Sequence, residues 1–218
     1  MIAWSGVRTV FLDMDGTLLD LHYDNHFWLH HVPRRYAEKH GLDEVHAREQ
    51  LLARYQSWSG TLQWYSVDFW SDELDLDIAR LKEEVAHLIA VHPHVPTFLD
   101  AVRADKRRVL LLTNAHHKSL ALKMARTGLA AHFDAIISSH DIGLPKEHAE
   151  FWRALQATEP FDCASTLLVD DSLPVLRSAR GYGIAHLVAV RQPDTRQPCK
   201  DVEGYPAIDS FLDILPSD

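Results

Sequence analysis

Asp13 and Asp15 stand two residues apart, after the apolar run Val10-Phe11-Leu12 and before Gly16-Thr17-Leu18. Side chains alternate along an extended segment, so both carboxylates project to one side and Met14 to the other. A carboxylate at the end of a buried strand is costly unless something uses its charge. Two on one side can hold a hard cation, or divide nucleophilic and acid/base work. Gly16 lets the backbone turn sharply after them. An isolated Asp-x-Asp is also a common turn, so the chemical reading depends on partner groups farther along the chain.

Three further segments end in polar groups. Leu110-Leu111-Leu112 runs into Thr113 and Asn114, whose hydroxyl and backbone N–H are donors suited to a phosphoryl oxygen. Alone, such a Thr reads as a helix cap. Lys146, after Gly143-Leu144-Pro145, offers a cation to Asp13 and to phosphate; alone it reads as a solvated loop lysine. Thr166-Leu167-Leu168-Val169 ends in Asp170 and Asp171, which repel each other unless a cation is near. In order, Asp13/Asp15, Thr113, Lys146 and Asp170/Asp171 lie at or after the C-terminal ends of expected strands. Open α/β sheets bind their ligands outside those ends.

The elements that must position these groups alternate. Strands are expected at 7–12, 108–113, 135–138, 166–169 and 186–190, with helices at 119–126, 147–157 and 173–182 and Gly128 as a C-cap. This predicts an α/β fold: a Rossmann-like, mostly parallel sheet core flanked by helices. Residues 20–92 contain no convincing strand. Ile78, Leu81, Val85 and Leu88, and separately Leu51, Leu52 and Tyr55, fall at helical spacing. The expected division is a core of residues 1–19 and 93–218, with a helical cap (20–92) inserted after the first strand. Residues 192–198 read as a surface loop.

The four motifs together resemble the haloacid dehalogenase superfamily of phosphohydrolases. One departure is that Pro145 precedes Lys146, where many members carry Pro after the lysine. The resemblance implies two-step phosphoryl transfer, with Asp13 as nucleophile and Asp15 as general acid and then base. It implies Mg2+ held by Asp13, the backbone carbonyl of Asp15 and Asp171, with Asp170 reaching it directly or through water. Thr113, Asn114 and Lys146 would bind the remaining phosphoryl oxygens. Hydrolytic dehalogenases of this fold lack the second Asp, so Asp15 favours phosphate esters over carbon–halogen bonds.

Composition narrows the partners. The chain has 218 residues, 46% of them hydrophobic, enough for a sizeable core. A formal net charge of -9 argues against a nucleic-acid polymer or an anionic membrane as partner. Two cysteines without Cys-x-x-Cys spacing, no visible signal peptide and no membrane-length apolar run predict a reduced, cytoplasmic protein. No oligomeric state follows. Fifteen histidines invite a transition-metal reading, with His22, His26 and His30 four apart, but no set has structural-zinc spacing.

The leaving group is not written in the motifs. The expected cap is rich in aromatics, among them Trp28, Tyr55, Trp58, Trp64, Tyr65 and Trp70, which can stack on a nucleobase or serve as the cap's own core. The chain also resembles bacterial GMP/IMP 5'-nucleotidases. The likeness runs from Ala3-Trp4 through Leu18 to Trp28, then through Thr61-Leu62-Gln63-Trp64-Tyr65, Asp68-Phe69-Trp70-Ser71, Leu112-Thr113-Asn114-Ala115-His116, Gly128-Leu129, His132, Pro145-Lys146-Glu147 and Val169-Asp170-Asp171-Ser172, so it covers nearly the whole chain and includes the cap. It implies a purine nucleoside monophosphate as the small-molecule phosphate ester, with Trp58, Trp64 and His116 as candidate base contacts. A sugar phosphate or phosphoglycolate phosphatase, a phosphomutase and a non-catalytic binding module are the alternatives.

Overall fold

The computed structural model of the chain describes residues 2–216. Six strands form one parallel sheet: β1 (Thr9–Leu12), β2 (Arg108–Thr113), β3 (Ala135–Ser138), β4 (Thr166–Asp170), β5 (His186–Val190) and β6 (Ala207–Ile208), in the order β3-β2-β1-β4-β5-β6. The first five lie where the apolar runs predict them. The two-residue β6 is too short to leave a periodic signal.

The strands read as continuous apolar runs because both faces are covered. Val10, Leu12, Val109, Leu111, Leu167 and Val169 pack with Phe98 and Leu99 on one face. Phe11, Leu110, Leu112 and Leu168 pack with Phe151, Trp152 and Leu176 on the other. Register decides what happens at the strand ends. Leu12 pairs with Leu111 on one side and with Val169 on the other, so Asp13, Leu112 and Asp170 emerge side by side.

The outer layers come from helices including Val95–Ala104, His117–Thr127, Ala149–Thr158 and Leu173–Tyr182. Gly128 closes His117–Thr127 in the left-handed conformation, at φ 70°. The helix Val95–Ala104 is not among the expected ones; Pro96 sits in its first turn, where a missing N–H costs nothing.

From His22 to Leu88 the chain is helical throughout its regular elements and buries a separate apolar cluster around Phe27, Leu51, Trp70 and Ile78. Side-chain caps at Asp43, Thr61, Ser66 and Asp77 start four of these helices. Pro33 is accommodated in the first turn of Val32–His40. The segments His22–His26 and Val32–His40 are joined by a π-helical turn, Phe27–His31, whose wider winding shifts the hydrogen-bond ladder just before the proline. The chain enters and leaves this helical body along adjacent segments: Asp20 N donates to Ala90 O at 2.9 Å, and His92 N to Leu18 O at 2.9 Å.

Residues 192–198 do more than cover the surface. Pro193 O accepts from Leu21 N at 2.8 Å, and Asp194 Oδ2 from Asn25 Nδ2 at 2.7 Å, which ties this loop to the start of the helical body. Among the described residues no helix is long and apolar enough to cross a membrane.

Candidate active site

β1 carries Asp13 to the C-terminal end of the sheet, where its N–H donates to Val169 O at 3.0 Å. Met14 turns into the core and is fully buried, so Asp13 and Asp15 both face a cavity of about 350 Å³. Gly16, at φ 86°, makes the turn; a Cβ there would meet Asp171 Cγ at 2.8 Å. No side chain fits without displacing that carboxylate.

Lys146 lies beneath Asp13 with its whole donor capacity used. Its Nζ donates to Asp13 Oδ1 at 2.6 Å, Asp170 Oδ2 at 2.7 Å and Leu112 O at 3.0 Å. The preceding Pro145 therefore does not keep the ammonium from the strand ends. Burial acts to lower the Lys146 pKa, but Asp13 and Asp170 outweigh it and hold it above its ordinary value. Asp13, Asp170 and Asp171 each offer an oxygen, all within 4.8 Å of one another. This is the one such metal-ligating group among the described residues; the histidines form none. Three hard carboxylate oxygens suit a cation of the Mg2+ type. Asp170 is already engaged, one oxygen by Lys146 and the other by Ser172 N at 2.8 Å. Asp171 meets Lys200 at 3.2 Å.

Asn114 is held from two sides. Its Oδ1 accepts from Lys146 N at 3.0 Å, and its Nδ2 donates to Glu147 Oε2 at 2.8 Å. The other Glu147 oxygen accepts from the Tyr65 hydroxyl, so this pair joins the helical body to the core. The Asn114 side chain is therefore committed, leaving its backbone N–H for a ligand. Thr113 Oγ1 accepts from Ala115 N at 3.0 Å, which leaves its hydroxyl proton free to donate.

Asp15 has partners that sequence reading missed. Buried Lys123 donates to Asp15 Oδ1 and to Asp24 Oδ2, both at 2.6 Å, and Lys82 Nζ donates to Asp24 Oδ1 at 3.1 Å. Burial would raise the Asp24 pKa, but Lys123 and Lys82 hold it down at about 2. Burial pushes Asp15 up to about 6, against the pull of Lys123. It does the same to Asp13, opposed by Lys146, and to Asp171, where Asp13 adds repulsion; both also reach about 6.

The base-contact candidates divide. Trp64 lines the cavity beside Trp28, ring centroids 6.2 Å apart and planes at 29°. Trp58 does not line it and packs edge-on against Phe69 at 4.8 Å. His116 also stands outside, capping the helix His117–Thr127 and facing Asp68 at 3.6 Å.

These shifts carry a testable sign. Asp13, Asp15 and Asp171 are raised from an ordinary 3.8 to about 6, so the stability they lend is complete below about pH 4 and lost as pH rises through about 6. A divalent cation favours their ionised forms and reverses that loss. The melting-temperature rise on adding Mg2+ is expected to be small at about pH 5 and about 5 °C or more at about pH 7.5. The Mg2+-induced rise is the informative quantity because His140, pushed down to about 4 by burial, tilts the background the other way. An equal rise at both pH values would contradict this assignment.

A family model described as haloacid dehalogenase-like hydrolase matches residues 7–183. The chain is 38% identical over 216 residues to GMP/IMP nucleotidase YrfG of Escherichia coli (strain K12), covering 99% of this chain and 97% of that protein. It is 23% identical over 175 residues to Pyrimidine 5'-nucleotidase YjjG of the same organism, covering 75% and 76%. Among solved structures, a HAD phosphatase from Thermococcus onnurineus superposes with a TM-score of 0.80 over 95% of each chain, at 22% identity, which speaks to the fold.

Proposed function

Because the chain belongs to the haloacid dehalogenase-like hydrolase family, we propose that it is a magnesium-dependent 5'-nucleotidase releasing phosphate from GMP and IMP. The observation that carries this reading is one cavity, which joins the carboxylate cluster to the stacked Trp28 and Trp64. Similarity to a GMP/IMP nucleotidase along 99% of the chain supports the substrate class. The helical body, roughly 20–92, then serves as the cap that selects the leaving group.

Asp13 Oδ attacks phosphorus as the bond from phosphorus to the ester oxygen breaks, and Asp15 gives that oxygen a proton. Asp15 then takes a proton from the water that attacks the aspartyl-phosphate, which frees phosphate and restores Asp13. With its pKa near 6, Asp15 keeps a protonated fraction at neutral pH. Lys146 stays charged and neutralises Asp13 and the phosphoryl oxygens, while the Thr113 hydroxyl and Asn114 N–H donate to those oxygens. Asp13 and Asp171, steadied by Asp170, would hold Mg2+, which offsets the charge of the phosphoryl group. Two free cysteines, Cys163 and Cys199, fit a reducing cytoplasm.

The direct test is phosphate release from nucleoside monophosphates and sugar phosphates, with Mg2+ and with chelator. Mg2+-dependent release that favours GMP and IMP is expected. Preference for a sugar phosphate would discard the substrate and keep the mechanism. Turnover without free phosphate would point to a mutase.

A further inference from the structure

Three buried lysines line the cavity, and they differ in how much of their donor capacity is used. An ammonium has three N–H donors. Lys146 uses all three, on Asp13, Asp170 and Leu112 O. Lys123 uses two, on Asp15 and Asp24. Lys82 uses one, on Asp24, its single hydrogen-bond acceptor among the described residues. The remaining surroundings of Lys82 are aromatic: its Nζ lies 4.4 Å from the Phe27 ring centroid and 5.5 Å from that of Trp28. Two buried donors are thus left beside the aromatic face, and Tyr55 contributes a buried hydroxyl with no partner to the same cavity. The rings of Phe27, Trp28 and Tyr23, the last 5.1 Å away, attract the ammonium but offer no oxygen or nitrogen acceptor, so those two donors stay open to a ligand.

Resting on the nucleotidase reading, we propose that Lys82 is the residue that selects 6-oxopurines, donating to O6 and N7 of a base stacked on Trp28. Guanine and hypoxanthine present two acceptors along that edge. Adenine presents N7 beside an amino donor, for which an ammonium has no acceptor. Guanine and hypoxanthine differ only at C2, which this contact leaves unread, so one lysine admits both. Tryptophan faces supply stacking to any base and do not make that distinction.

Two measurements test this. In Lys82→Met, of nearly the same shape, the ratio of kcat/KM for GMP over AMP is expected to fall about 10- to 100-fold. Loss of the Asp24 partner would act on every substrate alike, and the ratio cancels it. In the unaltered protein, 7-deaza-GMP, which lacks the N7 acceptor, is expected to fall about tenfold below GMP in kcat/KM. That comparison decides the matter if the variant does not fold. An unchanged GMP-to-AMP ratio, or equal rates on GMP and 7-deaza-GMP, overturns the proposal and leaves the nucleotidase intact. A protein that cleaves no GMP at all removes both.

Discussion

Asp13→Asn is expected to lower phosphate release by at least about four orders of magnitude while leaving the fold as stable as before. The amide keeps the shape and loses the nucleophilic oxygen, so no aspartyl-phosphate forms. Lys146 is not stranded, because Asp170 and Leu112 O still accept from it. The Asp13 carboxylate is itself costly to ionise in place, since burial has raised its pKa to about 6. Without divalent cation at neutral pH, the variant should therefore melt no lower than the parent, and its response to Mg2+ should shrink. Paired turnover and melting measurements check this. A variant that keeps a tenth of its activity would remove Asp13 from the nucleophile's role, and one that melts far lower would make its charge structural.

Lys123→Met reverses the pattern. Among the described residues, Lys123 is the one cation that touches both Asp15, in the core, and Asp24, in the helical body. Its removal leaves Asp15 with no hydrogen-bonding cation and Asp24 with Lys82 alone. Breaking a buried ion pair from one side costs about 3–5 kcal/mol. For a chain of this size that is a melting-temperature loss of about 6–20 °C. Adding Asp15→Asn should recover part of the loss, because the carboxylate left without a cation is then gone, while Asp24 keeps Lys82. Thermal melts of the single and double variants decide it. A single variant that melts with the parent would mean the network is dispensable.

The contrast between these residues explains what the sequence reveals. Asp13, Asp15, Asp170 and Asp171 are legible because a buried strand leaves an apolar run and its end carries the charge. Both signals are local and occupy consecutive positions. Lys123 sits in a helix among alanine, leucine and methionine, where a lysine reads as one more solvated charge. Its partners lie 108 and 99 residues away, and only the docking of the helical body on the sheet brings them together. Lys82, Asp24 and Lys200 are hidden for the same reason. Among the aromatics, counting gives no orientation: Trp64 and Trp28 reach the cavity while Trp58 turns to Phe69. The one sign that separates them is helical phase, and Trp58 closes its helix while Trp64 lies in a helix of only four residues.

The ring of charges around the cavity also links its two ligands. Its lining carries five carboxylates, Asp13, Asp15, Asp24, Asp170 and Asp171, against the three ammonium groups of Lys82, Lys123 and Lys146. With all of them ionised, two negative charges remain in the lining, and Lys200, which meets Asp171 from outside it, offsets one of them. A phosphate ester arriving alone meets net repulsion, whereas one divalent ion turns the chamber's net charge positive. Ion and ester must then each tighten the other's binding, by an equal factor in both directions.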